Sequence, residues 1–558
     1  MKSIHIKITA AYILALGMVS CGDSYLDTSS KTALNSNTFY KNELQASYAV
    51  IGCYDGYQRT VSNGSWPTLF LVSEFGGDDA LGGGGPDDRS CRVMDRMDMS
   101  YNTSDVSFMS GLWGDYYKAI NRCNQLLQQI DGVDFSSDDA KNAAKGEAMA
   151  LRGLEYFDLV KLFEHVPLIT SPTSEIVPQA SPDSVYAQVV SDLKWAADNI
   201  PASYYTDKSS SLGRITCYAA GAMLARVYLF YDGVYNNNQR GTMPGGLTAA
   251  EALAYCEKAI SSGQYKLETD FKDLWPAAST TPTTQADGWK TTYKEASDEI
   301  VWVVKFNNDQ DWNNANINGN RFIVDLGIRN VSDGSCAPYG NGWGQAPITR
   351  KAYQLFQTGD SRRDASIIDL TKNGAYDTQT TTDAMDVTGY VNEKYCPLIY
   401  TDGSSIPVEA AINEISGGNF QTSQDQNWIL MRYADVLLMA AELGSQKAMT
   451  YFNMVRERAF GDSSHNLSAA PTAQQVWDER RLEFMSEGIR YWDLMRQGLD
   501  AFVKAQLSQG HTVYNNTVSE DISSTFLDAN FRIKRGFWQI PNDQITLSGG
   551  VYKQNPGW

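Results

Sequence analysis

Leu112, Tyr116, Ile120, Cys123, Leu127 and Ile130 step by four, four, three, four and three positions, which places all six on one face of a helix. The same spacing returns along much of the chain, so the dominant constraint on its fold is the need to bury one helical stripe against another. Leu44, Tyr48, Ile51 and Tyr54 predict a helix of about four turns. From about Asp139 to Phe163 a second pattern carries Gly146, Ala150, Gly153 and Leu154, small groups that let a neighbouring helix come close. Ser181 caps the next helix, with Pro182 where a missing N–H costs nothing and Val185, Val189, Leu193 and Ala196 as the buried face. Another runs from near Thr216 to Asp232-Gly233, and Thr248 with Glu251 makes a capping box for its successor, which Gly263 ends. Ile429 to Leu443 and Gln446 to Phe460, separated by little more than Gly444, predict a tight helical hairpin. Thr472 and Gln475 cap a helix ending near Gly488, and Glu299 to Phe306 is the best strand candidate. The expected fold class is mainly α, a tetratricopeptide-like scaffold of helical pairs with long irregular loops and few short strands, although no strict repeat survives.

The N-terminus predicts the compartment. Lys2, His5 and Lys7 precede an apolar run from Ile8 to Val19 that falls short of the about 20 residues a bilayer span needs, and suits a cleaved signal. Ser20-Cys21 then resembles a bacterial lipobox, with Met18 where Leu is usual, and predicts acylation of Cys21. The expected organisation is a signal peptide at 1–20, a tether at 21–37 and one domain at 38–558. Within that domain the tetratricopeptide-like part spans about 38–265, and a loop-rich ligand-binding and C-terminal helical part spans about 266–558. Contact with the membrane is expected through the lipid anchor only. A net charge of −19 repels phosphate backbones and argues against nucleic acid as a partner. Cys53, Cys91, Cys123, Cys217, Cys256, Cys336 and Cys396 form an odd set without C-x-x-C spacing, which argues against zinc or iron–sulfur sites. No metal or cofactor is expected. Asn314, Asn316, Asn318, Gly319 and Asp325 follow a calcium-loop spacing, but neutral amides hold Ca²⁺ poorly.

Two stretches break the helical pattern. Gly76 to Ser100 holds Asp78, Asp79, glycines 82 to 85, Arg89, Arg92 and Arg96; Pro86 and the lack of Gly-Lys-Ser/Thr exclude a P-loop. Asn307 to Gln345 holds nine Asn together with Trp312, Tyr339 and Trp343. Sugar rings offer C–H faces that stack on flat aromatics, and their hydroxyls suit amides and guanidiniums. The expected ligand-binding set is therefore Trp312, Tyr339 and Trp343 with Asn320, Arg321, Asn341 and Gln345. The alternative is that these aromatics pin the loop to the helical body. Glu483 and Glu487, one turn apart, resemble a glycosidase pair in spacing. The i,i+3 pairs Asp478–Arg481, Arg480–Glu483, Glu487–Arg490 and Asp493–Arg496 predict instead a structural charge network, with no catalytic residue.

The ordered motifs carry a resemblance. They are Cys21 with Tyr25-Leu26-Asp27; Trp113, Tyr116, Tyr117, Ile120, Cys123 and Asn124; Leu151-Arg152 through Tyr156-Phe157 to Val166-Pro167-Leu168; and Met431 to Leu438. Glu479-Arg480-Arg481, Glu483-Phe484 and Gly488 to Arg496 follow, and the chain closes on Ile540-Pro541 and Gln554 to Trp558. Together they resemble the SusD/RagB family of Bacteroidetes outer-membrane lipoproteins. The resemblance implies a tetratricopeptide-like scaffold that includes Trp113, Arg152, Glu483 and Arg490, exposure at the cell surface, and capture of an oligosaccharide or polysaccharide without cleavage. It also implies docking as a lid on a SusC-like TonB-dependent transporter. Competing readings are a surface-anchored glycoside hydrolase, a scaffold without ligand, and a SusD-like lid for a peptide or other nutrient.

Overall fold

The computed structural model describes residues 39–282, 289–307, 310–311, 316–331, 336, 338–372, 375–398, 421, 424–509 and 512–558. Up to the residue 260s, helices pack against their neighbours in the chain. Helix α1 (Glu43–Gln58) lies on α2 (Ser110–Gln129), α2 on α3 (Asp138–Phe163), and α3 on α4 (Pro182–Asn199). In turn α4 lies on α5 (Cys217–Asn236), and α5 on α6 (Ala249–Ser261). Side-chain caps set the helix starts as expected: the Ser181 hydroxyl accepts from the Ser184 N–H, and Thr248 with Glu251 closes a full capping box. Where α3 meets the end of α4, a Cβ on Gly146 would stand 2.4 Å from Ile200 Cγ1, so only glycine permits this approach. Among the described residues no helix is long and apolar enough to cross a membrane.

The stripe of α2 is buried at Leu112, Tyr116, Ile120, Cys123 and Ile130, as are Val185, Val189, Leu193 and Ala196 of α4. Helix α1 forms but turns its stripe outward: Leu44, Tyr48 and Ile51 are 60, 56 and 54% exposed, while Val50, Cys53 and Tyr57 face the core. The reason is close packing. Gly56 sits against Ala119 of α2, and Arg122 donates to the Gly52 carbonyl at 2.8 Å, so the face of small residues takes the contact.

The strand candidate is β1 (Ile300–Val304), paired antiparallel with β2 (Trp428–Arg432). That pairing corrects the helical expectation for Ile429 onward: a short apolar run has no period of its own, and the edge of β1 supplies hydrogen bonds that a helix would otherwise make internally. Helix α7 (Tyr433–Glu442) starts only after it, and Gly444, at φ +85°, turns the chain into α8 (Ala448–Phe460). Helix α9 (Ala473–Glu483) starts at the Thr472–Gln475 capping box and stops at Glu483, short of Gly488.

Glu483 is fully buried and meets three guanidiniums: Arg432 at 2.8 Å, Arg362 at 3.1 Å and Arg458 at 2.5 Å. Burial would raise its carboxyl, but Arg458, Arg432 and Arg362 together hold it well below the usual carboxylate range. Arg432 also reaches Glu299 and Glu487, and Lys394 reaches Glu487 at 2.6 Å. Of the four local pairs offered by the spacing, only Asp493–Arg496 forms, at 2.7 Å. Arg480 joins Asp435 and Asp493, while Arg481 and Arg490 both reach Asp78. These charges cross-link the fold rather than decorate one helix. Glu483→Gln should therefore cost roughly 3 to 5 kcal/mol of stability, because it strands buried guanidiniums. Denaturant titration followed by circular dichroism measures this, and an unchanged midpoint would show that the network does not carry the fold.

Candidate functional site

The charge network also anchors the first irregular loop. Arg481 Nη2 lies 2.9 Å from Asp78 Oδ2 and Arg490 Nε 2.7 Å from Asp78 Oδ1. Beyond this point the loop pairs with the end of the second irregular stretch. The Thr349 N–H donates to the Asp79 carbonyl at 2.8 Å, Leu81 to Pro347 at 3.0 Å, Ala346 to Gly82 at 3.1 Å, and Gly84 to Gly344 at 2.9 Å. Here the glycine run finds its purpose. Gly83 has φ +67°, and a Cβ on it would stand 2.4 Å from Pro347 Cδ. Asp95 accepts from the Gly82 N–H at 2.7 Å and pairs with buried Arg96, which also meets Asp386 at 3.3 Å.

Where the two loops meet they line an open cleft of about 380 Å³. Half-buried Trp66 and Trp343 both line it. Trp66 precedes Pro67 and Thr68, the side-chain cap of the short helix Leu69–Phe75. Trp343 is held by its N–H, which donates to the Val324 carbonyl at 2.8 Å, and the Gln345 N–H likewise donates to Asp325 at 2.8 Å. Charges of both signs complete the lining: Asp87, Asp88 and Arg89 from the first loop, and Arg321, Asp325 and Arg329 from the second. Two are already engaged, since Asp88 Oδ2 accepts from the Gly85 N–H at 2.6 Å and Arg329 meets Asp383 at 3.0 Å. Burial lifts the Asp325 carboxyl to about 7 against the pull of Arg321, with Asp88 adding to the rise.

The seven residues expected to bind ligand do not stay together. Trp343, Arg321 and Gln345 line the cleft. Tyr339 does not: its hydroxyl donates to Glu393 at 2.6 Å and its ring packs on a small core containing Ile328, Cys396 and Leu398, so it is a loop anchor. Asn320 is fully buried, accepting from Ser62 at 2.9 Å and donating to the Gln426 carbonyl at 2.8 Å, so its amide is spent on the fold. Asn341 accepts from the Val331 N–H at 3.3 Å, away from the cleft. Trp312 and Cys21 lie outside the described residues, as does Asn314 of the calcium-loop spacing. The sequence pattern missed Trp66, Asp88 and Asp325. Trp66 stands ahead of the loop it serves, and Asp325 drew notice only through the calcium spacing; no short-range pattern joins either to Trp343. Among the described residues no group of three or more His, Cys, Asp or Glu is placed to hold a metal ion.

Comparison with known proteins adds independent findings. The family model described as the SusD family matches residues 298–558, and one described as "Starch-binding associating with outer membrane" matches residues 88–229. The chain is 26% identical to SusD-like protein P2 of Formosa agariphila over 98% of each chain. A solved laminarin binding SusD-like protein is 26% identical with a TM-score of 0.69, covering 93% of this chain and all of that one. Surface glycan-binding protein A from Bacteroides thetaiotaomicron, solved in complex with laminarihexaose, shares the fold at a TM-score of 0.69 and 23% identity, over 92% of this chain and all of that one.

Asp95, Asp325 and Glu393 all have carboxyls raised to about 7, in each case first by burial. Their ordinary values are about 4. The native state thus keeps protons that the unfolded chain releases, so these groups contribute stability at low pH that is lost as pH rises from about 4 to about 7. The thermal unfolding midpoint should rise between pH 8 and pH 5.5, measured by calorimetry, and Asp325→Asn should flatten part of that rise. A midpoint that falls over this interval would contradict it.

Proposed function

Because the chain belongs to the SusD family, we propose that it is a non-catalytic glycan-binding protein of the outer cell surface, held by a lipid on Cys21. It captures oligosaccharide or polysaccharide and passes it to a SusC-like TonB-dependent transporter. One observation carries this reading: two tryptophans from separate loops line one cleft with Arg321, Asp325 and Gln345. An apolar C–H face needs the indoles, and ring hydroxyls need acceptors and donors beside them. Laminarin is the first glycan to try, since a 26%-identical SusD-like protein binds it.

Glu483 and Glu487 are buried among guanidiniums and an ammonium, which suits support rather than catalysis. A hydrolase reading would rest on the cleft. Asp325, raised to about 7, has the ionisation of a general acid, and Asp88 is the nearby carboxylate that adds to the rise. Incubation with laminarin and other neutral polysaccharides, read by reducing ends, separates the two: binding without new ends supports capture, and cleavage lost in Asp325→Asn supports hydrolysis. The lid role predicts a broad interface, above about 1,000 Å², and co-purification of a transporter in mild detergent.

In affinity electrophoresis Trp66→Ala and Trp343→Ala should each weaken glycan binding about tenfold or more, as loss of a stacking platform worth about 1 to 3 kcal/mol requires. If the double variant is folded and binds as the parent does, the site lies elsewhere. Cys21→Ala should move the protein from membrane to soluble fractions, and unchanged partition would remove the anchor from the proposal.

A further inference from the structure

The innermost part of the cleft is richer in unmet hydrogen-bonding capacity than the fold explains. Asp325 is 1% exposed and Gln345 5%, yet Asp325 Oδ2 and Gln345 Oε1 have no hydrogen-bond partner among the described residues. Arg321 Nε, in the same cleft, is likewise buried and without an acceptor. Unmet buried acceptors are costly and rare in native proteins, and three unmet groups around one cleft point to a ligand that completes them. Two of the three accept, so the missing partner must donate. Sugar hydroxyls do this, and a hydroxyl that donates to a carboxylate also accepts from a neighbouring guanidinium.

We infer that Asp325, Gln345 and Arg321 form a hydroxyl-reading subsite that selects glycans presenting neutral, hydroxyl-bearing rings and rejects those presenting carboxylate or sulfate at the same point. This rests on the glycan-binding reading above. A carboxylate or sulfate group has no hydrogen to give. Above about pH 7, where Asp325 is ionised, such a group leaves Asp325 and Gln345 unpaired and sets a second anion beside Asp325, so discrimination comes from unmet acceptors as well as charge. The remaining cleft charges do not reverse this balance: Arg329 is neutralised by Asp383, and exposed Arg89 neighbours Asp87 and Asp88. Trp66 and Trp343 supply affinity for any sugar face, and the subsite decides which sugar stays.

The groups that act on Asp325 are Arg321 on its own segment and Asp88 from the facing loop, and Asp325 in turn helps to push up the buried Cys91 thiol. A ligand hydroxyl donating to the ionised carboxylate favours loss of its proton, so affinity should rise with pH through about 7.

The test is isothermal titration calorimetry of the folded protein and its variants against a panel of neutral hexasaccharides that includes laminarihexaose, and against hexagalacturonate. The expected result is that the best neutral hexasaccharide binds at least tenfold more tightly than hexagalacturonate. Asp325→Ala and Gln345→Ala should each weaken it about tenfold, and the rise in affinity from pH 6 to pH 8 should vanish in isosteric Asp325→Asn, which guards against misfolding of the alanine variant. If Trp343→Ala abolishes binding while the Asp325 and Gln345 variants bind as the parent does, the subsite is wrong and the glycan-binding reading stands. Hexagalacturonate binding as tightly as the neutral panel also overturns it. If neither class binds the parent protein, the glycan-binding reading falls and takes the subsite with it.

Discussion

Everything near the cleft hangs from a charge network that water does not reach. Glu483 holds Arg362, Arg432 and Arg458 around one carboxylate, and Arg432 passes the linkage to Glu299 and Glu487. Burying any of these ions alone costs several kcal/mol, so each position is tolerable only while its partners are in place. That condition couples α9, α8, β2 and the segment around residue 360 into one geometry. Arg481 on α9 and Arg490 just after it pair in turn with Asp78, where the first irregular stretch begins. A network of this kind gives positional specificity to a fold whose helices are otherwise joined by non-directional apolar contact.

The cleft inherits that geometry at one remove. The first irregular stretch carries the helix Arg89–Arg96 and the second the helix Phe322–Leu326, and outside these their backbones are paired from Asp79 to Gly84 against Gly344 to Thr349. The glycine run exists because this pairing brings chains closer than a Cβ allows at Gly83. Smaller anchors do the rest. Tyr339 ties the second loop to Glu393, and Asn320 ties it to Ser62 and Gln426. For the proposed role, a surface that does not need to reorganise on binding loses less affinity to ordering.

How much of this was legible in the chain depends on the range of the interaction. Helix starts at Ser181, Thr248 and Thr472 were readable because a cap and the N–H that donates to it lie within four residues. The face of α1 was not, because both of its sides are apolar enough to bury and only the fit of Gly56 against Ala119 chooses between them. The charges of Arg480, Arg481 and Arg490 were read as local pairs and are spent on Asp435, Asp78 and Asp79 instead. Glu483 and Glu487, the local partners of Arg480 and Arg490, are taken by other buried cations, and exposed Asp478 is a poorer partner for Arg481 than buried Asp78.

By itself the sequence determined what local chemistry determines: helices paired in order, two irregular polar stretches, and an aromatic and amide composition suited to sugars. Its ordered motifs carried the family as well. Tertiary structure alone decided which of those aromatics and polar groups share a cleft. It turned Tyr339 and Asn320 inward as anchors, made Trp428–Arg432 a strand, and brought Trp66 and Asp88 to Trp343 and Asp325 across more than 200 residues. The physical reason is that stacking platforms and unmet acceptors have no periodicity. They are set by where two loops are pinned, and the pins are buried ion pairs and backbone pairings between parts of the chain that no spacing rule connects.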